Sequence, residues 1–178
     1  MDLRRALLST HRGLALRDVD HALIGGLALA VHGAGRATAD LDWIADGLRA
    51  DRVDELMRLQ GYEAVQRNDQ VGNYLSRDPV LGRIDFLFVR RERGVAILKR
   101  ASEHEVMGEP VKVAEASDLI GLKVQAYANN PSRRYGDLDD IARLIRAGGV
   151  DLVRVREYFR LFECERDLDE LLATAKKS

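Results

Sequence analysis

Three aspartates carry the chemistry within reach of this sequence. Asp40 and Asp42 stand two residues apart in Asp40-Leu41-Asp42-Trp43-Ile44-Ala45, which alternates like a strand, so both carboxylates leave the same face. Two like charges so close repel each other unless a divalent cation sits between them. A hard cation such as Mg2+ takes oxygens from one or two carboxylates and from substrate phosphates. Asp85 stands mid-strand in Arg83-Ile84-Asp85-Phe86-Leu87-Phe88-Val89, where an unpaired carboxylate is costly to bury, so it needs a cation or a proton. If the two strands are neighbours, the three aspartates converge as a two-metal phosphoryl-type transfer requires, with one ion at the attacking oxygen and the other at a triphosphate. Taken singly, Asp-x-Asp on a strand also reads as a solvent-facing pair.

A phosphate contact is offered by Gly25-Gly26, which follows the apolar segment Ala22-Leu23-Ile24 and precedes Leu27 to Gly33, a run composed like a short helix. Glycines between a strand and a helix let backbone N–H groups approach a phosphate closely, and the helix start adds its positive dipole end. Alone, such a pair is also turn punctuation. The order strand, Gly-Gly, helix, loop, Asp-x-Asp strand and then a later Asp on an apolar strand has no bland reading. In the intervening loop, Arg36 and Thr38 read either as phosphate contacts or as turn and capping residues. His32 reads as a core or capping histidine and His104 as a loop residue, neither with a partner spaced for a metal.

The elements that must position these residues follow from periodicity. Apolar spacing predicts a helix over 3–17, a strand at 22–24, a strand over 40–45 and a helix over 49–60. Strands are expected at Tyr62–Gln66, Asn73–Ser76 and Arg83–Val89, and a strand pair near Glu105-Val106 and Val111–Val113, after a segment from Gly94 to Arg100. Helices are expected over 117–129, 137–147, 151–162 and 166–176. The fold class is thus α/β (α+β), a mixed β-sheet core flanked by helices and followed by a helical C-terminal part. One unit is expected over 1–178, with the core over about 1–114 and the helical part over about 115–178.

Composition sets the outer bounds. The chain has 178 residues and a formal net charge of −1, so it is no polybasic nucleic-acid binder; the local run Arg83, Arg90, Arg91, Arg93, Lys99 and Arg100 reads as a solvated face. The single cysteine, Cys164, excludes an intrachain disulfide framework and reads as core. With no apolar run near the ~18 residues of a membrane span, no membrane partner is expected and the cytoplasm is the expected compartment.

With those residues in place, the sequence resembles the nucleotidyltransferase superfamily that includes DNA polymerase beta. Its pattern is a hydrophobic strand, Gly-Gly or Gly-Ser, Asp-x-Asp, and a third carboxylate on a later strand, matched here by Leu23 to Asp42 and Ile84 to Phe88. More narrowly, Ile24-Gly25-Gly26-Leu27-Ala28 through Arg36-Ala37-Thr38-Ala39-Asp40-Leu41-Asp42 resembles AbiEii-type toxins and also aminoglycoside and lincosamide nucleotidyltransferases. Asp118 to Lys123 and Arg134 to Ile141 resemble the Lys helix and the Arg-Asp-x-x-Asp segment of the AbiEii-like group, with an extra Gly136 that leaves Asp137, Asp139 and Asp140 as competing matches. The resemblance implies transfer of a nucleoside monophosphate from an NTP, ATP among them, to an acceptor hydroxyl, with Mg2+ (two ions, or Mn2+). Asp40, Asp42 and Asp85 would ligate metal and Asp85 would act as general base. Gly25, Gly26 and Lys123 would bind the triphosphate, with Asp137 and Asp140 accessory; Lys123 alone also reads as a surface lysine. The implied acceptor is tRNA or protein, with an antitoxin as a further partner. The alternatives are a small-molecule antibiotic acceptor or a non-catalytic nucleotide-binding module.

Overall fold

Residues 2–175 are described by a computed structural model, in which the sequence periodicities become eight α-helices and seven strands. In chain order they are α1 (Leu3–Ala15), β1 (His21–Ile24), α2 (Gly25–Val31), β2 (Asp40–Asp46), α3 (Ala50–Leu59), β3 (Tyr62–Arg67), β4 (Val71–Ser76), β5 (Arg83–Val89), α4 (Glu92–Arg100), β6 (Ser102–Val106), β7 (Glu109–Val113), α5 (Ala116–Asn129), α6 (Arg134–Ala147), α7 (Leu152–Leu161) and α8 (Glu165–Ala175). The last position of the helix expected over 166–176 lies outside the described residues.

Two compact units share the chain. One comprises the chain up to Ala28 and Arg36–Ala114; the other comprises Leu29–Gly35 and the chain from Glu115 onward. The first holds a mixed sheet in the order β3-β4-β5-β2-β1-β7-β6. Parallel pairs join β2 to β5 and β1 to β7, and the remaining neighbours run antiparallel.

Strand alternation splits this sheet into two faces. Leu41, Trp43, Ile84, Phe86, Phe88 and Tyr74 share one of them, all buried, with α1 packed on β2 and α3 on β3. Trp43 is fully buried, and truncating so large a core side chain costs about 3–5 kcal/mol. The opposite face carries Asp40, Asp42, Arg83 and Asp85 at the N-terminal ends of β2 and β5.

Four local readings are corrected. His104, read as a loop residue, lies on β6 opposite Val111. The segment expected from Gly94 to Arg100 is the helix α4, which begins at Glu92. α6 begins at Arg134 rather than 137, because Asn130 caps Ser132 N and Pro131 opens a 3-10 turn that runs straight into the helix, Gly136 included. Cys164 is half-buried rather than core, its Sγ 3.1 Å from the Phe162 carbonyl.

In the helical unit, α5 packs on α6 and α7, and α8 on α6 and α7. Asp118 is buried at the start of α5, where Tyr158 Oη donates to it at 2.7 Å. The tyrosine ring lies so close over Gly121 that a Cβ there would come within 2.6 Å of it.

Candidate active site

The glycine turn and the paired aspartates meet because β1 and β2 are neighbours. Ile24, the last residue of β1, pairs with Asp42, so the chain leaving β1 passes directly over that carboxylate. Gly25 takes φ +66°, a backbone conformation that side chains with a Cβ rarely adopt. A Cβ at Gly25 would overlap the Asp42 carboxylate, and one at Gly26 would lie 2.7 Å from Thr38 Oγ1. Close approach therefore demands both glycines, and the turn demands Gly25 as well. Thr38 Oγ1 donates to the Asp40 carbonyl at 3.3 Å, fixing the loop just before β2, and the exposed Arg36 donates to the Ala37 carbonyl at 3.2 Å.

Asp85 arrives from the strand beside Asp42. The β2–β5 register pairs Asp42 with Asp85 and Asp40 with Arg83, so these four side chains occupy one face in two adjacent rows. Asp40 is exposed, while Asp42 and Asp85 are half-buried. The Asp85 carboxylate has two donors, both on Oδ1: Arg83 Nε at 2.7 Å and Asn73 Nδ2 at 2.7 Å, Asn73 being the residue of β4 that pairs with Asp85. The Asp85 bond, with the charges of Asp40 and Asp42 behind it, raises the Arg83 pKa above the usual arginine value. Sequence reasoning missed Arg83 and Asn73. Arg83 was read as part of a solvated basic face, although Arg83-x-Asp85 repeats the spacing of Asp40-x-Asp42 and so had to share its face.

This donor set fits a hard divalent cation in kind. It offers carboxylate oxygens only, from adjacent strands, beside a glycine turn that keeps Cβ atoms out of the space over Asp42. Among the described residues, no three acidic, histidine or cysteine side chains already enclose an ion-sized space. Arg83 and Asn73 both hold Asp85 Oδ1, so a cation that took this oxygen would displace part of that arrangement.

Lys123, Asp137 and Asp140 come together in the helical unit. The Lys123 ammonium donates to Asp140 Oδ2 at 2.5 Å and to Asp137 Oδ1 at 3.1 Å, with side-chain exposures of 12, 2 and 5% for Lys123, Asp140 and Asp137. Arg133 adds a bond to Asp137 Oδ2 at 3.0 Å. Asp139, the competing match, instead faces solvent and pairs with Arg143 one helical turn on.

On the apolar side of the sheet, His11 Nδ1 and His21 Nε2 lie 2.8 Å apart beside Trp43. Burial pushes His21 down to about 4 and lowers His11 as well. His21 Nδ1 is 2.7 Å from the Val19 carbonyl, which can only accept, so that nitrogen carries the proton and Nε2 accepts from His11.

No protein-family model and no curated protein matches the chain. Solved structures do. The antibiotic-resistance factor ANT(2'')-Ia superposes with a TM-score of 0.70 at 14% identity, covering 96% of this chain and 97% of that one. The lincosamide antibiotic adenylyltransferase LnuA gives 0.58 at 14% identity, covering 81% and 97%. An antigenic nucleotidyltransferase-like protein from Paracoccidioides brasiliensis gives 0.59 at 17% identity, covering 97% and 92%. The chain has the nucleotidyltransferase fold.

Proposed function

We propose that this chain is a nucleotidyltransferase that moves a nucleoside monophosphate from an NTP to an acceptor hydroxyl and releases pyrophosphate. The observation that carries the reading is the register that sets Asp42 against Asp85, with Gly25 pressed on the Asp42 carboxylate. A sheet that needed only stability would not gather like charges there.

In this reading Asp40, Asp42 and Asp85 would hold Mg2+, which when bound neutralises the triphosphate and the charge developing on it. Gly25 and Gly26 let the triphosphate approach the backbone, and Arg36 and Thr38 flank it from the preceding loop. The acceptor oxygen attacks the α-phosphorus, the bond from that phosphorus to the pyrophosphate oxygen breaks, and the hydroxyl proton passes to Asp85. Both donors to Asp85 use Oδ1, so Oδ2 is the oxygen placed to take it.

Two acceptor classes are supported by different observations. The Lys123 helix and the Arg134 to Ile141 segment resemble AbiEii-like toxins, which favours tRNA or a protein hydroxyl and an antitoxin partner. Likeness to ANT(2'')-Ia over nearly the whole of both chains favours a small antibiotic. The deciding assay incubates purified protein, Mg2+ and each of the four α-labelled NTPs with total tRNA, with cell extract protein, and with aminoglycosides or lincosamides. Label is expected on one of these acceptors, and Asp42→Asn and Asp85→Asn are each expected to lower transfer by about 10²–10⁴-fold with unchanged circular dichroism. Nucleotide binding in calorimetry without transfer to any acceptor would leave a binding module; neither binding nor transfer would overturn the proposal.

A further inference from the structure

The acidic face carries its own cation. Arg83 stands two residues before Asp85 on β5 and directly beside Asp40 across the β2–β5 pair, so one positive and three negative side chains form a two-by-two array. Its Nε lies 2.7 Å from Asp85 Oδ1, the oxygen that Asn73 also bonds. Arg83 is 45% exposed and Asp85 22%. A guanidinium so placed can swing into water at little cost, since an exposed ion pair is worth only about 0–1 kcal/mol. Without that pairing, Asp85 would face Asp42 with no counter-charge on its own strand. A divalent ion at Asp85 meets the guanidinium as a like charge a few Å away and, where it takes Oδ1, as a rival for that oxygen. Asn73 bonds the same oxygen but is neutral, so it adds no like-charge repulsion.

We infer that Arg83 is an internal counter-cation for Asp85, so that Arg83 and a divalent metal compete for this carboxylate. The inference rests on the metal reading above. Arg83 therefore acts as a positioning residue, holding Asp85 in its strand-facing pose while no ion is present and weakening metal binding when nucleotide is absent.

The test is Mn2+ binding to the full chain without nucleotide, followed by electron paramagnetic resonance, in wild type, Arg83→Met, Arg83→Lys and Asp42→Asn. Arg83→Met is expected to bind Mn2+ about tenfold more tightly, because one positive charge and one rival for Oδ1 are gone. Arg83→Lys restores the charge and is expected to return most of the way to wild type, a rescue that a merely structural role would not give. Metal-free melting curves check folding, and Arg83→Gln replaces Arg83→Met if that variant unfolds. Mn2+ binding that depends on Asp42 but is equal or weaker in Arg83→Met overturns the counter-cation alone. An absence of Asp42-dependent Mn2+ binding in every variant overturns the metal reading and this inference with it.

Discussion

Oδ1 of Asp85 accepts a cationic and a neutral donor, while Asp42 across the strand pair is pressed by a glycine whose backbone lies in the left-handed region. The second of these contacts makes a sharp residue-level expectation. In Gly25→Ala, the new methyl group meets the Asp42 carboxylate in a conformation that already disfavours alanine, so stability should fall by about 1–3 kcal/mol. Nucleotide binding should fall further than stability alone explains. Urea denaturation and calorimetry on the same protein check both; a variant that binds nucleotide as wild type does would show that the close approach has no functional part. The three aspartates were legible because their spacing within each strand fixes which face they take, and the glycines because they separate an apolar strand from a helical run. Asn73 was not, because nothing in Val71–Ser76 tells which residue will lie opposite Asp85; that depends on a cross-strand register set by the turn between β4 and β5.

At the scale of elements, two buried polar arrangements hold neighbouring segments together, and each predicts a measurable cost. Lys123 on α5 is the cation between Asp137 and Asp140 on α6. Replacing it by Met removes the buried cation shared by two carboxylates, leaving Asp137 with Arg133 at 3.0 Å, and a loss of about 3–5 kcal/mol is expected in urea denaturation. Adding Asp137→Asn and Asp140→Asn to that variant should recover much of the loss; no recovery would mean that packing, not charge, holds the pair of helices. The second arrangement joins α1 to β1 through His11 and His21. His21 is held neutral down to about 4, whereas an unfolded chain takes its proton near 6.5. Its contribution is therefore fully present above 6.5 and lost as pH falls toward 4, about 3 kcal/mol in all. Melting curves at pH 7.5, 5.5 and 4.5 should fall less steeply for His21→Leu than for wild type, and parallel curves would remove His21 from the acid response. Most strands and helices were readable from periodicity, β5 to the residue. The start of α6 was missed because a 3-10 turn and an asparagine cap carry the helix back across a glycine, a local geometry that apolar spacing does not encode.

For the whole molecule, the charge balance of 28 basic and 29 acidic residues leaves no large field to gather anionic ligands, so the proposed nucleotide binding would have to draw its affinity from the site itself. Folding and ligation are then linked by mass action. A ligand that binds only the folded chain adds about 2.7 kcal/mol at a hundred times its Kd. For a chain of this length each kcal/mol moves the melting midpoint by about 2–4 °C, so saturating Mg2+ with the preferred NTP should raise it by about 5–10 °C. The rise should need both components, because the triphosphate brings negative charge to a face that already carries Asp40, Asp42 and Asp85. NTP with chelator should therefore give little shift, and Mg2+ alone only a small one while Arg83 still occupies Asp85. Asp42→Asn should abolish the joint rise without lowering the unliganded midpoint by more than a few degrees, since it removes a repulsion as well as a ligand. A differential scanning experiment across these conditions checks the whole scheme at once, and an equal rise with NTP in the presence of chelator would place nucleotide binding away from the three aspartates.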